Sequence, residues 1–451
     1  MSDKHADLIV QARWLAPVAP ADAGVLVEHA LVVRDGVIVD VLPNALATRK
    51  WHAGETVILD RHLLIPGLVN AHTHAAMSLF RGLADDLALM TWLEQHIWPA
   101  EDRWVGEEGF VRDGTRLAAA EMIRSGTTCF ADMYFFPEST ARVAMEAGLR
   151  AALFTPILDA PTPMGDGADD YLGQATRAAD QWRHEPRLSF GFGPHAPHTV
   201  SDDPLRGVLT LAEEMDAQIM MHVHETAGEI QAAVQADGER PLSRLRRLGL
   251  LGPRLMAVHM TQLLDEEIQW LADTDTQVVH CPESNLKLAS GLCPLHQLLE
   301  AGINVALGTD GAASNNDLDM IGEMRTAALL AKGVSLRAEA VPAATALRMA
   351  TLNGARALGL DERIGSLEIG KQADMVAVDL AALETQPVHD PVAQLVYSAG
   401  REQVSHSWVA GRCLMNERRL TTLNAALIAK NAGDWRDRIA RHRQMPHPHT
   451  P

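Results

Sequence analysis

The chain reads as an α/β protein whose centre is a (β/α)8 TIM-type barrel, joined by a small β domain built from both chain ends. Three observations predict this. Through the middle of the 451 residues, short apolar runs alternate with longer helical patterns, as βα units of a parallel sheet do. Eight such runs can be counted. Histidines and acids recur where the runs end, which is the side on which barrels carry their sites. A doubly wound open sheet would share the alternation. However, the stretch Gly191-Phe192-Gly193-Pro194 is not a dinucleotide fingerprint, so no cofactor motif favours that architecture.

The chain opens with β-like runs at 7–10, 31–34, 37–41 and 56–60, and Asp35-Gly36 marks a tight turn between two of them. No chemistry is apparent there. The eight barrel strands are expected at 64–71, 127–133, 150–158, 188–194, 218–224, 255–260, 277–281 and 303–308. Helical patterns such as 138–147, 205–215 and 292–301 separate them. The β-like texture returns at 374–379 and 405–415, the second run broken by Ala410-Gly411. The expected division is 1–62 and 371–420 for the two parts of the end domain, 63–370 for the barrel, and 421–451 for a C-terminal helix and tail.

A net charge of −19 argues against nucleic acid or anionic membrane as a partner, since both call for a basic patch. No apolar run approaches the roughly 20 residues of a membrane helix. The first residues, Met1 to Asp7, lack a secretory pattern, so a cytoplasmic protein is expected. Cys129, Cys281, Cys293 and Cys413 have no metal-cluster or disulfide spacing and read as buried thiols. Oligomeric state is not legible, which leaves room for a homo-oligomer.

His72 and His74 close the first run, and in a strand they would share a face while Thr73 points away. Alone, a His-x-His pair is as compatible with a surface pair as with a metal. His195 follows strand four, His222 and Glu225 follow strand five, His259 ends strand six and Asp310 ends strand eight. Three histidines and one carboxylate, His72, His74, His222 and Asp310, would form a shell for one divalent ion, zinc or ferrous iron rather than magnesium or calcium. A cation so held lowers the pKa of water enough to make a nucleophile near neutral pH. No serine or cysteine with a paired base stands out. Glu225 is the expected proton shuttle, His259 an aid in holding the water unless it is a neutral core histidine, and Asp310 the proton acceptor. His224 should face the helices. Glu283, Ser284 and Asn285 read as loop-shaping residues, and His198 as loop or surface.

The stretches Leu64-Ile65-Pro66-Gly67-Leu68-Val69-Asn70-Ala71-His72-Thr73-His74, Met221-His222-Val223-His224-Glu225-Thr226 and Leu307-Gly308-Thr309-Asp310-Gly311-Ala312-Ala313-Ser314 resemble the amidohydrolase superfamily. Phe80-Arg81-Gly82, Trp98-Pro99-Ala100-Glu101-Asp102-Arg103, Gly191-Phe192-Gly193-Pro194-His195 and Ser284-Asn285-Leu286-Lys287-Leu288 are most similar to its methylthioadenosine/S-adenosylhomocysteine deaminase branch, with triazine chlorohydrolases as near relatives. The resemblance covers nearly the whole chain. It implies that the end domain is a β-sandwich, that Glu101 accepts hydrogen bonds from the ribose hydroxyls, and that His195, Ser314, Glu225 and Asp310 meet the substrate. It also implies a single metal, because strand four carries neither the lysine nor the glutamate that bridges two metals in other members. The arginine expected near the end of strand three for S-adenosylhomocysteine is missing from Ala151-Ala152-Leu153-Phe154-Thr155-Pro156-Ile157-Leu158-Asp159. A buried carboxylate without a cation is costly, so 5′-methylthioadenosine is favoured, its thioether against Trp92, Phe154 or Met133, each of which also reads as plain core. The alternatives are a triazine chlorohydrolase or aminohydrolase with the same shell, and a non-catalytic scaffold of the same fold. His447 and His449, in a proline-broken tail, are not expected to be ligands.

Overall fold

A computed structural model describes residues 4–20 and 22–444, so His447 and His449 lie outside the described residues. Eight parallel strands follow one another around the barrel: Leu68–Thr73, Thr127–Met133, Arg150–Ile157, Leu188–Pro194, Ile219–Val223, Leu255–His259, Gln277–His280 and Val305–Leu307. Where strand eight returns to strand one, the amide of Asp310 donates to the His72 carbonyl at 3.0 Å. A Cβ on Gly308 would lie 2.8 Å from the His72 nitrogen, so this closure admits only glycine. Two backbone features of strand one are therefore fixed by the chain that carries Asp310.

Both chain ends together form a second, mixed sheet of eight strands. Lys4–Leu15 pairs parallel with Trp51–Pro66, and every other pairing in it is antiparallel. The sheet folds over itself as a sandwich: Leu31 and Val33 from its N-terminal half share a core with Met375, Ala377 and Trp408 from its C-terminal half. Asp35-Gly36 and Ala410-Gly411 both turn with positive φ at two successive residues, as tight hairpins require. Arg150 at the start of barrel strand three pairs with buried Asp374 at 2.5 Å, tying the sandwich to the barrel end remote from the strand tips.

The first barrel strand departs from expectation. The run 64–71 was expected as one strand, but Leu64 and Ile65 pair with Ala377 and Val376 in the sandwich, and the barrel strand starts only at Leu68. Both parts are buried on both faces, so no polar residue marks the border. Gly67 does: a Cβ there would overlap the side chain of Thr128 at 2.0 Å.

One further element matters for the site. Leu89–Trp92, Leu93–Ile97 and Trp98–Trp104 run on as a single helix with a π turn in its middle. Trp92 and Glu101 are nine residues apart and would fall on opposite sides of a regular α-helix. The wider π turn between them rotates both toward the barrel mouth. The C-terminal helix Ala425–Gln444 braces this region, with Trp435 against Trp104 and Phe110 and its indole N–H on Asp113 at 3.1 Å.

Candidate active site

The residues at the strand tips converge. Asp310 Oδ1 lies 3.4 Å from His72 Nε2 and 3.3 Å from His74 Nε2, and His72 Nε2 lies 3.2 Å from His222 Nε2. Ligand atoms around a tetrahedral ion with bonds of roughly 2.0–2.1 Å are about 3.3–3.4 Å apart. The donors have the chemistry of a divalent site with nitrogen-rich ligation, with His72 common to two tight groups, one with His74 and Asp310 and one with His222 and His259. Each donor is also aimed from behind. His74 Nδ1 donates to the Met133 carbonyl at 2.6 Å and His222 Nδ1 to the His195 carbonyl at 2.8 Å, which leaves both Nε2 lone pairs facing inward. His72 Nδ1 faces Met220 Sδ at 3.1 Å. Asp310 Oδ2 accepts from Ser284 Oγ at 2.7 Å and Ser314 Oγ at 2.8 Å, and Oδ1 accepts from the Gly311 amide.

The electrostatics of this cluster call for positive charge. Burial works against the Asp310 carboxylate, yet hydrogen bonds from His72 and His74 hold it well below the usual carboxylate range. Burial also opposes charge on His74, but the bond to Asp310 raises it to about 9. Burial lowers His72 to about 4 and holds His222 well below the ordinary histidine range. The carboxylate draws a proton onto His74 between groups that a cation would join.

Backbone strain gathers at the same place. His224, His259, Met260 and Asp310 all have positive φ, a region few residues other than glycine adopt and one that recurs at functional sites. His259 stacks on His222 with centroids 5.5 Å apart, donates from Nδ1 to Asn285 Oδ1 at 2.8 Å, and turns Nε2 toward Glu225 at 3.7 Å. The Asn285 amide oxygen thus fixes the ring so that Nε2 faces the cavity and Glu225. Glu225 is pushed above the ordinary glutamate range by burial, which suits a group that must carry a proton.

Above this floor opens a cavity of about 580 Å³, within the range that takes a small organic ligand. Its walls include Trp92, Glu101, Tyr134, His195, Glu225 and Glu229, and among the described residues no lysine or arginine lines it. Burial raises Glu101 to about 7. Buried Tyr134 turns its hydroxyl toward Glu101, and neither that hydroxyl nor the Trp92 indole N–H has a partner in hydrogen-bond geometry. Burial lowers His195 to about 3, and its Nδ1 meets Thr199 Oγ at 3.1 Å.

Of the expected site residues, His72, His74, His222, His259, Asp310, Glu225, Glu101, His195 and Trp92 come together here. Ser314 does not reach the cavity: its hydroxyl lies behind Asp310, so its place is to hold the carboxylate rather than to touch substrate. Phe154 packs inside the barrel core, whereas Met133 lines the cavity. His198 stands exposed at the cavity rim. His224 faces outward, as its strand position requires, with Nε2 accepting from the Leu242 amide. Four residues were missed. Ser284 and Asn285 orient Asp310 and His259 rather than merely shaping a loop, and Tyr134 and Glu229 complete the wall. A signal existed only for Glu229, one helical turn beyond Glu225.

The family model described as the amidohydrolase family matches residues 63–414. The chain is 52% identical over 439 residues to a 5-methylthioadenosine/S-adenosylhomocysteine deaminase of Saccharophagus degradans, covering 97% of this chain and 98% of that one. It is 41% identical to a 5′-deoxyadenosine deaminase of Methanosarcina mazei, over 95% of this chain and 97% of that one. A solved structure of an adenosine deaminase from Xanthomonas campestris with bound zinc superposes with a TM-score of 0.96 at 51% identity, covering 97% of this chain and 100% of that one.

Proposed function

The chain belongs to the amidohydrolase family, and we propose that it is a hydrolase that replaces the 6-amino group of an adenine nucleoside by oxo, with release of ammonia. The preferred substrate in this reading is 5′-methylthioadenosine. One observation carries it: His74, His222, Asp310 and Glu101 line the same cavity, with His72 packed beneath them, so a reacting amine and a ribose diol can be held at once. An ionised carboxylate offers two acceptors to two neighbouring hydroxyls.

His72, His74, His222 and Asp310 would hold one divalent cation, zinc before iron, which supplies a water activated for attack near neutral pH. Around it the chain's own groups move protons. Glu225 delivers one to the ring nitrogen beside C6 while the water oxygen adds to C6. Asp310 takes one proton from the water and passes it to the departing amine, and as the C6–N bond breaks the proton left on the new C6 hydroxyl returns to Glu225, so that water and aminopurine become oxopurine and ammonia. His259, oriented by Asn285, turns Nε2 toward the attacking water and steers it. His195 donates to or accepts from the purine edge across the cavity.

The absence of any cation from the cavity wall supports methylthioadenosine over S-adenosylhomocysteine, whose carboxylate would be desolvated opposite Glu101, Glu229 and Asp159. Among the described residues no helix is long and apolar enough to cross a membrane. The four cysteines form no disulfide, which fits a reducing cytoplasmic setting. Purified enzyme incubated with adenosine, 5′-methylthioadenosine and S-adenosylhomocysteine should release ammonia fastest from the second. Release from none of the three, at full metal occupancy, would refute the reading.

A further inference from the structure

We propose that Glu229 is a positioning residue for the reaction: its carboxylate fixes the peptide of Glu225 and so holds the Glu225 side chain at the reacting ring. The inference rests on the reading that Glu225 carries the proton.

Glu225 needs such support. It follows His224, whose backbone is in the left-handed region, and it precedes the helix Ala227–Asp237, so it sits in neither strand nor helix. Both of its peptide groups are nevertheless pinned. Its N–H donates to Glu229 Oε2 at 2.9 Å, and its carbonyl accepts from Thr261 Oγ at 2.7 Å.

The arrangement differs from ordinary helix capping. Thr226 is the N-cap and accepts from the Glu229 amide at 3.2 Å, the first half of a capping box. In the usual second half, the third helical residue returns its carboxylate to the N-cap amide. Here the carboxylate faces the Thr226 amide and also reaches the amide one residue earlier, that of Glu225, at 2.9 Å. The helix start is thus used to clamp the residue before it. The other oxygen, Oε1, is buried without a hydrogen-bond partner, and Glu229 lines the cavity beside Glu225. A buried bare carboxylate oxygen is unfavourable for folding alone. It is tolerated where its partner oxygen does something the site requires.

The test is a split between acceptor and charge. Glu229→Gln keeps a carbonyl oxygen for the Glu225 amide, whereas Glu229→Ala removes it. With 5′-methylthioadenosine, Glu229→Ala should lower kcat about 30-fold to 100-fold, the scale of a misplaced reacting group, with KM and metal content unchanged. Glu229→Gln should recover kcat to within about threefold, since a neutral acceptor still binds the amide. Glu225→Gln, measured alongside, separates the two layers of the argument. If Glu225→Gln turns over normally, the role given to Glu225 fails. If Glu225→Gln is impaired but Glu229→Ala keeps its kcat, or Glu229→Gln is as slow as Glu229→Ala, the positioning role is overturned. A loss confined to thermal stability, with kcat intact, would likewise reduce Glu229 to a helix cap.

Discussion

The floor of the cavity and its wall are built on different terms. On the floor, His74, His222, His259 and Asp310 each have their outward-facing atoms tied to a carbonyl, an amide or a hydroxyl, and all of them stand at strand ends. On the wall, Trp92 and Glu101 hang from a helix with a π turn, Met90 and Trp98 beside them are exposed, and the Trp92 indole N–H has no partner. The floor is complete before substrate arrives; the wall is completed by it. Changes to the floor, and to Glu225 and Glu229 beside it, should therefore act on metal and turnover, and changes to the helix-borne wall of Trp92 and Glu101 on binding.

The largest effect is expected on the floor itself. His222→Ala should lose metal and at least about a thousandfold in kcat/KM, because a cation's electrostatic contribution is several kcal/mol. Metal analysis beside an ammonia assay checks it. Glu225→Gln comes next, with full metal content and turnover lower by about 10²–10⁴, the usual range for a general acid or base. Normal turnover would remove the proton shuttle from the account. Ser284→Ala leaves every ligand in place but takes one hydroxyl from Asp310, and should weaken metal affinity by about 10-fold to 100-fold in a competition with chelator.

The wall should respond more mildly and more selectively. Glu101→Ala is expected to raise KM for nucleosides by about 10-fold to 100-fold, as loss of hydrogen bonds to a charged group does, while a triazine, which has no ribose, is spared. Equal damage to both substrates would erase the distinction between wall and floor. The same residue sets a pH dependence. Burial raises Glu101 to about 7, so the free enzyme carries its proton below that pH, whereas the ribose contact proposed for it needs the ionised form. kcat/KM for the nucleoside should fall as pH drops through about 7 while kcat falls less, and Glu101→Gln should abolish that limb.

The same contrast explains what could be read from the sequence. The floor was legible because histidines and an acid at successive strand ends have a periodicity that fold class alone interprets: His72, His222, His259 and Asp310 were placed by counting strands. Glu101 was legible only through resemblance, since on a helix surface it looks like any solvated acid. Ser284 and Asn285 act on Asp310 and His259 26 residues away, and nothing local distinguishes them from turn formers. The strand border at Gly67 was hidden because the apolar run crosses from one sheet to another without leaving the interior.

The proposed reaction depends on one cation completing the floor beneath a wall that holds a nucleoside. Enzyme stripped of metal and titrated with zinc, with ammonia release from 5′-methylthioadenosine followed at each addition, tests that directly. Activity should rise linearly and level off at one equivalent per chain, and His222→Ala should stay inactive throughout. Full activity in the stripped enzyme, or a plateau reached only at two equivalents, would contradict it.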